Sequence, residues 1–382
     1  MQKALVDKIH RRGFQVILTD ANEQCFVRSS VDEFVHLDIF DLEGNARAAE
    51  RLSEKFDIKA AMTASADSIE GPAVVAHTLG LHGVSPETAR LFRYKHLSRE
   101  LLTKAGVPQP RFGTASEVDV ARKLATSFGL PVCLKATNNS GSRGFSVIRS
   151  LDQLTESAFD HARKNGTSGL VIVEELLEPV EDELSEQSLE TVWYEGKMYW
   201  LNWTDRMFRQ DMRLFPGVDS TQYEKLPWAV EIGHLNPALH SYDTTRKVQE
   251  MAEACGRALG LGTARGGHIM KADIMLTKKG PYILEPTLRL SGGWDSGGSS
   301  VMRGADFHEG AISLALGEPL TLDLWHDSFQ YKNPYLHVAV MSEIPDNPID
   351  CIGRRFALAG NFNRERAVLE AEKLVREKKF VV

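Results

Sequence analysis

The chain has 382 residues, with 45 Lys and Arg against 52 Asp and Glu, a formal net charge of −7 and 42% hydrophobic residues. At ~150 residues per domain that length holds two or three packed units, and 25% charged residues with 8% aromatics describe a globular protein rather than a disordered or fibrous one. The acidic balance argues against a protein that lives on nucleic-acid phosphates, which needs a basic face, but not against a nucleotide ligand in a locally positive pocket.

The opening alternates helix and strand patterns: a helix over 4–13, an apolar run over 14–18 ending at Asp20, a strand over 34–38, a helix over 45–56 and a strand over 60–62. Strands alternating with helices predict a small open parallel α/β domain over residues 1–90. Such a domain normally begins with a strand and a glycine-rich turn. Here the pattern starts inside a helix, so the first strand is expected to be missing.

From 91 the pattern changes. A helix carries Lys95, the breakers GVPQP follow at 106–110, and a helix is predicted near 118–128. A strand over 132–135 runs into NNSGSRG at 138–144, then a strand over 145–148, a helix to Lys164 and an apolar strand over 170–173 ending in Glu174 and Glu175. The acidic stretch EPVEDELSE at 178–186 reads as a solvated connection. Two hairpins are predicted, 189–194 with 198–203 and 267–276 with 282–285, separated by a long amphipathic helix over 243–260. A glycine-rich stretch at 292–298, a helix over 307–316, a strand over 337–341 and a helix over 363–378 complete the chain.

No apolar run reaches the ~18 residues of a membrane span, and the N-terminal MQKALVDKIHRRGF is amphipathic rather than a signal core. Cys25, Cys133, Cys255 and Cys351 are dispersed without a C-x-x-C pair, so neither a zinc cage nor a disulfide framework is suggested. A cytoplasmic protein is expected, acting on small molecules, with neither nucleic acid nor membrane as partner.

Three segments carry chemistry. In NNSGSRG, small residues between strands can expose successive backbone N–H groups as an anion nest, with Lys135 at the strand end and Arg143 in the loop adding positive charge; a flexible hairpin turn fits the same residues. Asp273 and Glu285 fall opposite each other across the second hairpin, where like charges are unfavourable unless a hard cation such as Mg²⁺ joins them. Glu285, Thr287 and Arg289 alternate onto one face, a set suited to Mg²⁺ and phosphate oxygens. A solvated acidic face is the simpler reading of either carboxylate alone. In the third segment, Glu174 to Leu177, an apolar strand ends where it can offer backbone groups to a purine edge, or merely turn into solvent.

Taken in order, these pieces resemble the ATP-grasp superfamily, especially its carboxylate–amine ligases and its carbamoyl-phosphate-synthase-like and biotin-carboxylase-like members, over residues 13–317. The resemblance implies an ATP-grasp domain over 91–320, in two lobes of about 91–170 and 171–320, and a short C-terminal α/β segment over 321–382. Lys95 in FRYKHLSRELLTKAGVPQP matches the family's first lysine and Lys135 its second, with the phosphate-covering loop matching 138–144, hence Asn139, Ser140, Gly141 and Ser142 on ATP. VEELL implies Glu174 for the adenine amino group and the backbone of Glu175 and Leu177 for the ring. The ribose acid is matched by Glu186, with Glu181 and Glu183 as rivals. Asp273, Glu285 and Thr287 match the metal-binding positions, and Arg289 the phosphate-contacting arginine; the family usually has Glu in place of Asp273 and Asn in place of Thr287.

What the resemblance implies is a ligase using ATP and Mg²⁺, or Mn²⁺ in its place, in which a substrate carboxylate becomes an acyl phosphate and an amine displaces phosphate. Arg289, Lys135 and Arg143 would supply catalytic charge compensation. Substrate contacts are expected from Arg206, His268, Ser291, Gly292, Trp294 and Asp295. Two rival readings are a bicarbonate-activating, carboxyphosphate-forming enzyme and a degenerate nucleotide-binding regulator, and a homodimer is a common arrangement among such relatives.

Overall fold

The computed structural model describes residues 2–63, 65–141, 143–224, 226, 230–292, 294–320, 332–343 and 354–381. Its strands form three sheets. The first holds β1 (Ile17–Asp20) and β2 (Glu33–His36) in parallel; α1 (Gln2–Arg11) precedes it in the chain, and α2 (Leu42–Ser53) and α3 (Glu70–Leu79) follow and pack on each other. The strand expected over 60–62 is not formed; that segment is extended without ladder partners among the described residues. Asp41 caps α2 by accepting from the Gly44 N–H.

After α4 (Pro86–Arg93) and α5 (Lys95–Lys104) comes a four-stranded antiparallel sheet, in the order β3 (Phe112–Ala115), β6 (Val171–Glu175), β4 (Val132–Ala136) and β5 (Ser146–Ile148). Its outer face is covered by α6 (Val118–Phe128) and α7 (Glu156–Lys164), which bury Val118, Ala121, Ala125, Phe159 and Ala162 against Val132, Leu134, Val171 and Val173. Val171–Glu175, expected to open the second lobe, pairs with β3 and β4, strands that precede it in the chain.

The largest sheet has seven strands, in the order β11, β10, β7, β8, β9, β12, β13. The long strands are β7 (Glu186–Tyr194), β8 (Lys197–Met207), β10 (Gly267–Thr277) and β11 (Gly280–Thr287), with β9 (Gly233–Asn236), β12 (His337–Ser342) and β13 (Phe356–Asn361) beyond them. Described parts of the segment expected to stand apart from 321 thus extend this sheet, through β12 on β9. Alternation along the pleat divides its residues between two faces. Leu189, Trp193, Trp203, Met270, Ala272 and Ile274 pack on α8 (Tyr242–Ala258) through Val248, Met251, Ala252 and Cys255. The approach is close at Gly256, where a Cβ would lie 2.2 Å from the Trp193 ring. The opposite face, carrying Ser188, Glu190, Thr204, Arg206, Lys271, Asp273, Glu285 and Thr287, turns to the cleft. Beyond β11, the short α9 (Ser300–Arg303) and α10 (Phe307–Ala315) lead toward α11 (Arg364–Arg376) after β13.

Candidate active site

Two connected chambers lie between the four-stranded and seven-stranded sheets. The smaller, of about 200 Å³, is lined by Lys135, Phe145, Glu174 to Leu177, Glu186 and Met275. The larger, of about 560 Å³, is lined by Asp67, Phe92, Ser188, Thr204, Lys271, Thr287, Ser291, Trp294 and Asp295 among others. Ser140, Gly141, Arg206, Asp273 and Glu285 line both and form the neck between them.

In the smaller chamber Glu174 is fully buried and bonded on both oxygens: Arg99 Nε donates to Oε1 at 2.9 Å and Lys135 Nζ to Oε2 at 2.7 Å. Burial would raise this carboxyl, but Arg99 and Lys135 outweigh it and hold it at about 2. The same partnership raises Lys135 against the effect of its own burial. The side chain expected to meet an adenine amine is engaged in an internal ion triad with Arg99 and Lys135. Glu175 is tied to Arg111, and the Leu176 N–H to the Pro131 carbonyl. Leu177 lines the chamber.

Glu186 opens β7 inside this chamber, whereas Glu181 and Glu183 are exposed and Glu183 pairs with His240 instead. Burial pushes Glu186 up to about 7; Arg206, 3.6 Å away, opposes this while Asp273 and Glu231 add to it. Loop residues Asn139, Ser140 and Gly141 border the chamber, and Ser142 lies outside the described residues. Gly144 ends the loop at φ +76°, where a Cβ would lie 2.7 Å from Asn165, so both backbone and space call for glycine.

Lys95, at the first position of α5, donates to Glu285 Oε1 and to the Asn139 carbonyl, both at 2.6 Å. Asp273 and Glu285 are direct cross-strand partners, and a bulge follows at once between Asp273 and Ile274. Each carboxylate has a lysine on it, since Lys271 Nζ stands 2.5 Å from Asp273 Oδ1. Burial would raise Asp273; Lys271 and Arg206 lower it overall. Two carboxylates and the Thr287 hydroxyl are an all-oxygen donor set that fits a hard divalent cation. No cluster of three or more His, Cys, Asp or Glu stands ready for a metal among the described residues, so phosphate oxygens and water would complete its coordination.

Arg289 bonds the Leu290 carbonyl, and its guanidinium lies 3.7 Å from Asp67. Asp67 also accepts from Ser140 Oγ and, at 2.8 Å, from Arg143 Nη2, fastening the 138–144 loop to the N-terminal region. Burial would raise the Asp67 carboxyl, but Ser140, Arg289 and Arg143 lower it.

Of the expected substrate residues, Arg206, Ser291, Gly292, Trp294 and Asp295 line the larger chamber. Arg206 is held by Glu231 at 2.9 Å through Nε and lies 3.6 Å from Asp273. Trp294 takes φ +66°, a left-handed conformation that costs a bulky residue on the order of 1 kcal/mol and that only surrounding structure holds in place. His268 does not belong to this group. It sits on the opposite parity of β10, stacks on His82 with centroids 5.1 Å apart and bonds the Arg265 carbonyl. Missed from sequence were Asp67, Arg99, Glu190, Glu231, His234 and Lys271. Arg99 is one helical turn from Lys95, Glu190 is four residues along β7 from Glu186, and Lys271 is two before Asp273, so face-counting could have found these three.

A family described as Carbamoyl-phosphate synthase L chain, ATP binding domain, matches residues 94–184, which hold Lys95, Lys135, the 138–144 loop and Glu174. Among solved structures, the fold aligns with an L-amino acid ligase from Bacillus licheniformis at TM-score 0.68 and 19% identity, covering 90% of this chain and 77% of that one. The chain has the ATP-grasp fold. Another ATP-grasp fold, N5-carboxyaminoimidazole ribonucleotide synthetase from Thermotoga maritima, aligns at TM-score 0.65 and 16% identity over 98% of this chain and 94% of that one. Uncharacterized protein y4rH of Sinorhizobium fredii is 25% identical over 323 residues, 84% of this chain, and the chain spans 62% of that relative's length. No helix among the described residues is long and apolar enough to cross a membrane.

Proposed function

We propose that this ATP-grasp protein is an ATP-dependent ligase that phosphorylates a small-molecule carboxylate and couples it to an amine, releasing ADP and phosphate. The observation that carries the reading is the neck, where Lys95, Arg206, Asp273 and Glu285 meet from separate elements between a purine-sized chamber and a larger one. Likeness in fold to a ligase of L-amino acids supports the amine.

The adenine would lie along the backbone of Glu175 to Leu177, with the ribose near Glu186 and the phosphates under Asn139, Ser140 and Gly141. Lys95 and Lys135 bind phosphate oxygens, and Arg289 and Arg143 orient the transferring group, so that rate comes from positioning and electrostatic compensation. Mg²⁺, or Mn²⁺, held by Asp273, Glu285 and Thr287 would supply further compensation of phosphate charge. The loop fastened to Asp67 keeps water from an intermediate that hydrolyses readily.

The test is ADP release with ATP and Mg²⁺ over panels of carboxylates and amines. Release should require both substrates, and Arg289→Ala and Glu285→Gln should each abolish it. Near-normal rates in either variant would overturn the reading, and release driven by bicarbonate would replace it with carboxyphosphate formation.

A further inference from the structure

Beside the larger chamber lie two buried carboxylates, Glu190 in the middle of β7 and Asp295, which share Asn202 as a hydrogen-bond donor. Glu190 is fully buried and accepts from the Ser291 N–H at 2.6 Å, from Ser296 Oγ at 2.5 Å and from Asn202 Nδ2 at 3.1 Å. Asp295 is 2% exposed and lines the chamber. Thr204, Asn202 and Ser299 all donate to its Oδ1, at 2.9, 3.2 and 3.1 Å. Its Oδ2 has no hydrogen-bond partner. A buried carboxylate oxygen left without a partner is costly, and the residue that carries it lines the larger chamber. His234, 3% exposed, lines the same chamber with an unpartnered Nε2. Trp294, beside Asp295, is held in its left-handed turn over this corner.

We infer that Asp295 is the seat of the second substrate's ammonium group and takes the proton that group must lose before it attacks. The inference rests on the ligase reading above and specifies its acceptor as a primary amine that arrives protonated. The ammonium donates a hydrogen bond to Asp295 Oδ2 and then transfers that proton to it, leaving R–NH₂ and a neutral carboxyl. The nitrogen lone pair forms the C–N bond to the acyl carbon as the C–O bond to phosphate breaks. The second N–H proton leaves on the phosphate, and Asp295 returns its own to solvent. Burial and, for Glu190, the neighbouring Asp295 raise both carboxyls above the ordinary range, as a proton acceptor working near neutral pH requires. Glu190 on β7 and Glu231 ahead of β9 are the charged groups that bear on the site from packed elements.

The test compares two nucleophiles on the same acyl donor. Hydroxylamine is uncharged at neutral pH and needs no proton acceptor, whereas the best L-amino acid from the panel arrives as an ammonium. Asp295→Asn should cut amide formation by about 100-fold and raise the KM for the amino acid, while hydroxamate formation stays within about threefold of wild type. Wild-type amide rates in that variant would overturn the inference, as would equal loss of amide and hydroxamate in a variant that still binds ATP. If the variant fails to fold, the wild-type enzyme decides: the 2-hydroxy acid analogue of the amino acid should inhibit only at concentrations at least about tenfold above the amino acid's KM, and equal potency would overturn the inference. A wild type that makes no carboxylate-dependent hydroxamate overturns the ligase reading itself.

Discussion

The two chambers solve the problem of buried charge in opposite ways. In the smaller one Glu174 is bonded by two cations and sits far below its ordinary range. Around the neck and in the larger one, Glu186, Glu231 and Asp273 share Arg206, Lys271 holds Asp273, Glu190 and Asp295 lie together, and three of the five carboxylates are driven upward. The first arrangement is complete without a ligand. The second is left short of positive charge, which marks where a cation and a cationic substrate have most to contribute.

Breaking the balanced side should have the largest effect. Arg99→Ala strips Glu174 of a partner inside the protein and should cost about 3–5 kcal/mol in denaturant unfolding; a loss below about 1 kcal/mol would show the triad to be incidental. On the unbalanced side the sign of the pH dependence reverses. Glu186 binds its proton more tightly folded than unfolded, so its contribution to stability declines as pH rises from about 4.5 to about 7, by on the order of 1–3 kcal/mol. Glu186→Gln should flatten that stretch of the stability profile. Glu174 acts in the other direction, its contribution disappearing as pH falls from 4.5 through about 2.

A smaller effect is expected from the proposed cation. Mg²⁺ at ten times its Kd should stabilise the protein by about 1.4 kcal/mol, seen as a rise in Tm that disappears in Asp273→Asn; an equal rise in that variant would place the ion elsewhere. The smallest belongs to Asp67, whose pairs are partly exposed. Asp67→Asn should cost under about 1 kcal/mol yet speed proteolysis within the 138–144 loop, and unchanged cleavage would show that the loop is held by other contacts.

Much of this was legible in the sequence because it is local. The strand, lysine and small-residue loop at 132–144 and the Asp273–Glu285 hairpin are each contained in about twenty residues or fewer, where period and turn chemistry decide. Short strands such as Phe112–Ala115 and Gly233–Asn236 gave no such signal, since pairing rather than pattern makes them strands. Asp67, Glu231 and His234 reach the site across long stretches of chain, and nothing near them in sequence announces it. Glu174 shows the same limit: its position at the end of an apolar strand was visible, but its partner Arg99 comes from a helix 75 residues earlier.

The alternation of the large sheet has a consequence for how such a protein can change. Where β7, β8 and β10 border the cleft, the residues that line it and the residues packed on α8 are neighbours in sequence on opposite faces: Ser188 beside Leu189, Thr204 beside Trp203, Asp273 beside Ala272. Exchanging one parity rewrites what the cleft accepts while leaving the packing on α8 untouched. Inheritance can therefore diversify substrates along these strands almost without regard to folding, and a single inserted residue, which swaps the two parities, would destroy both at once.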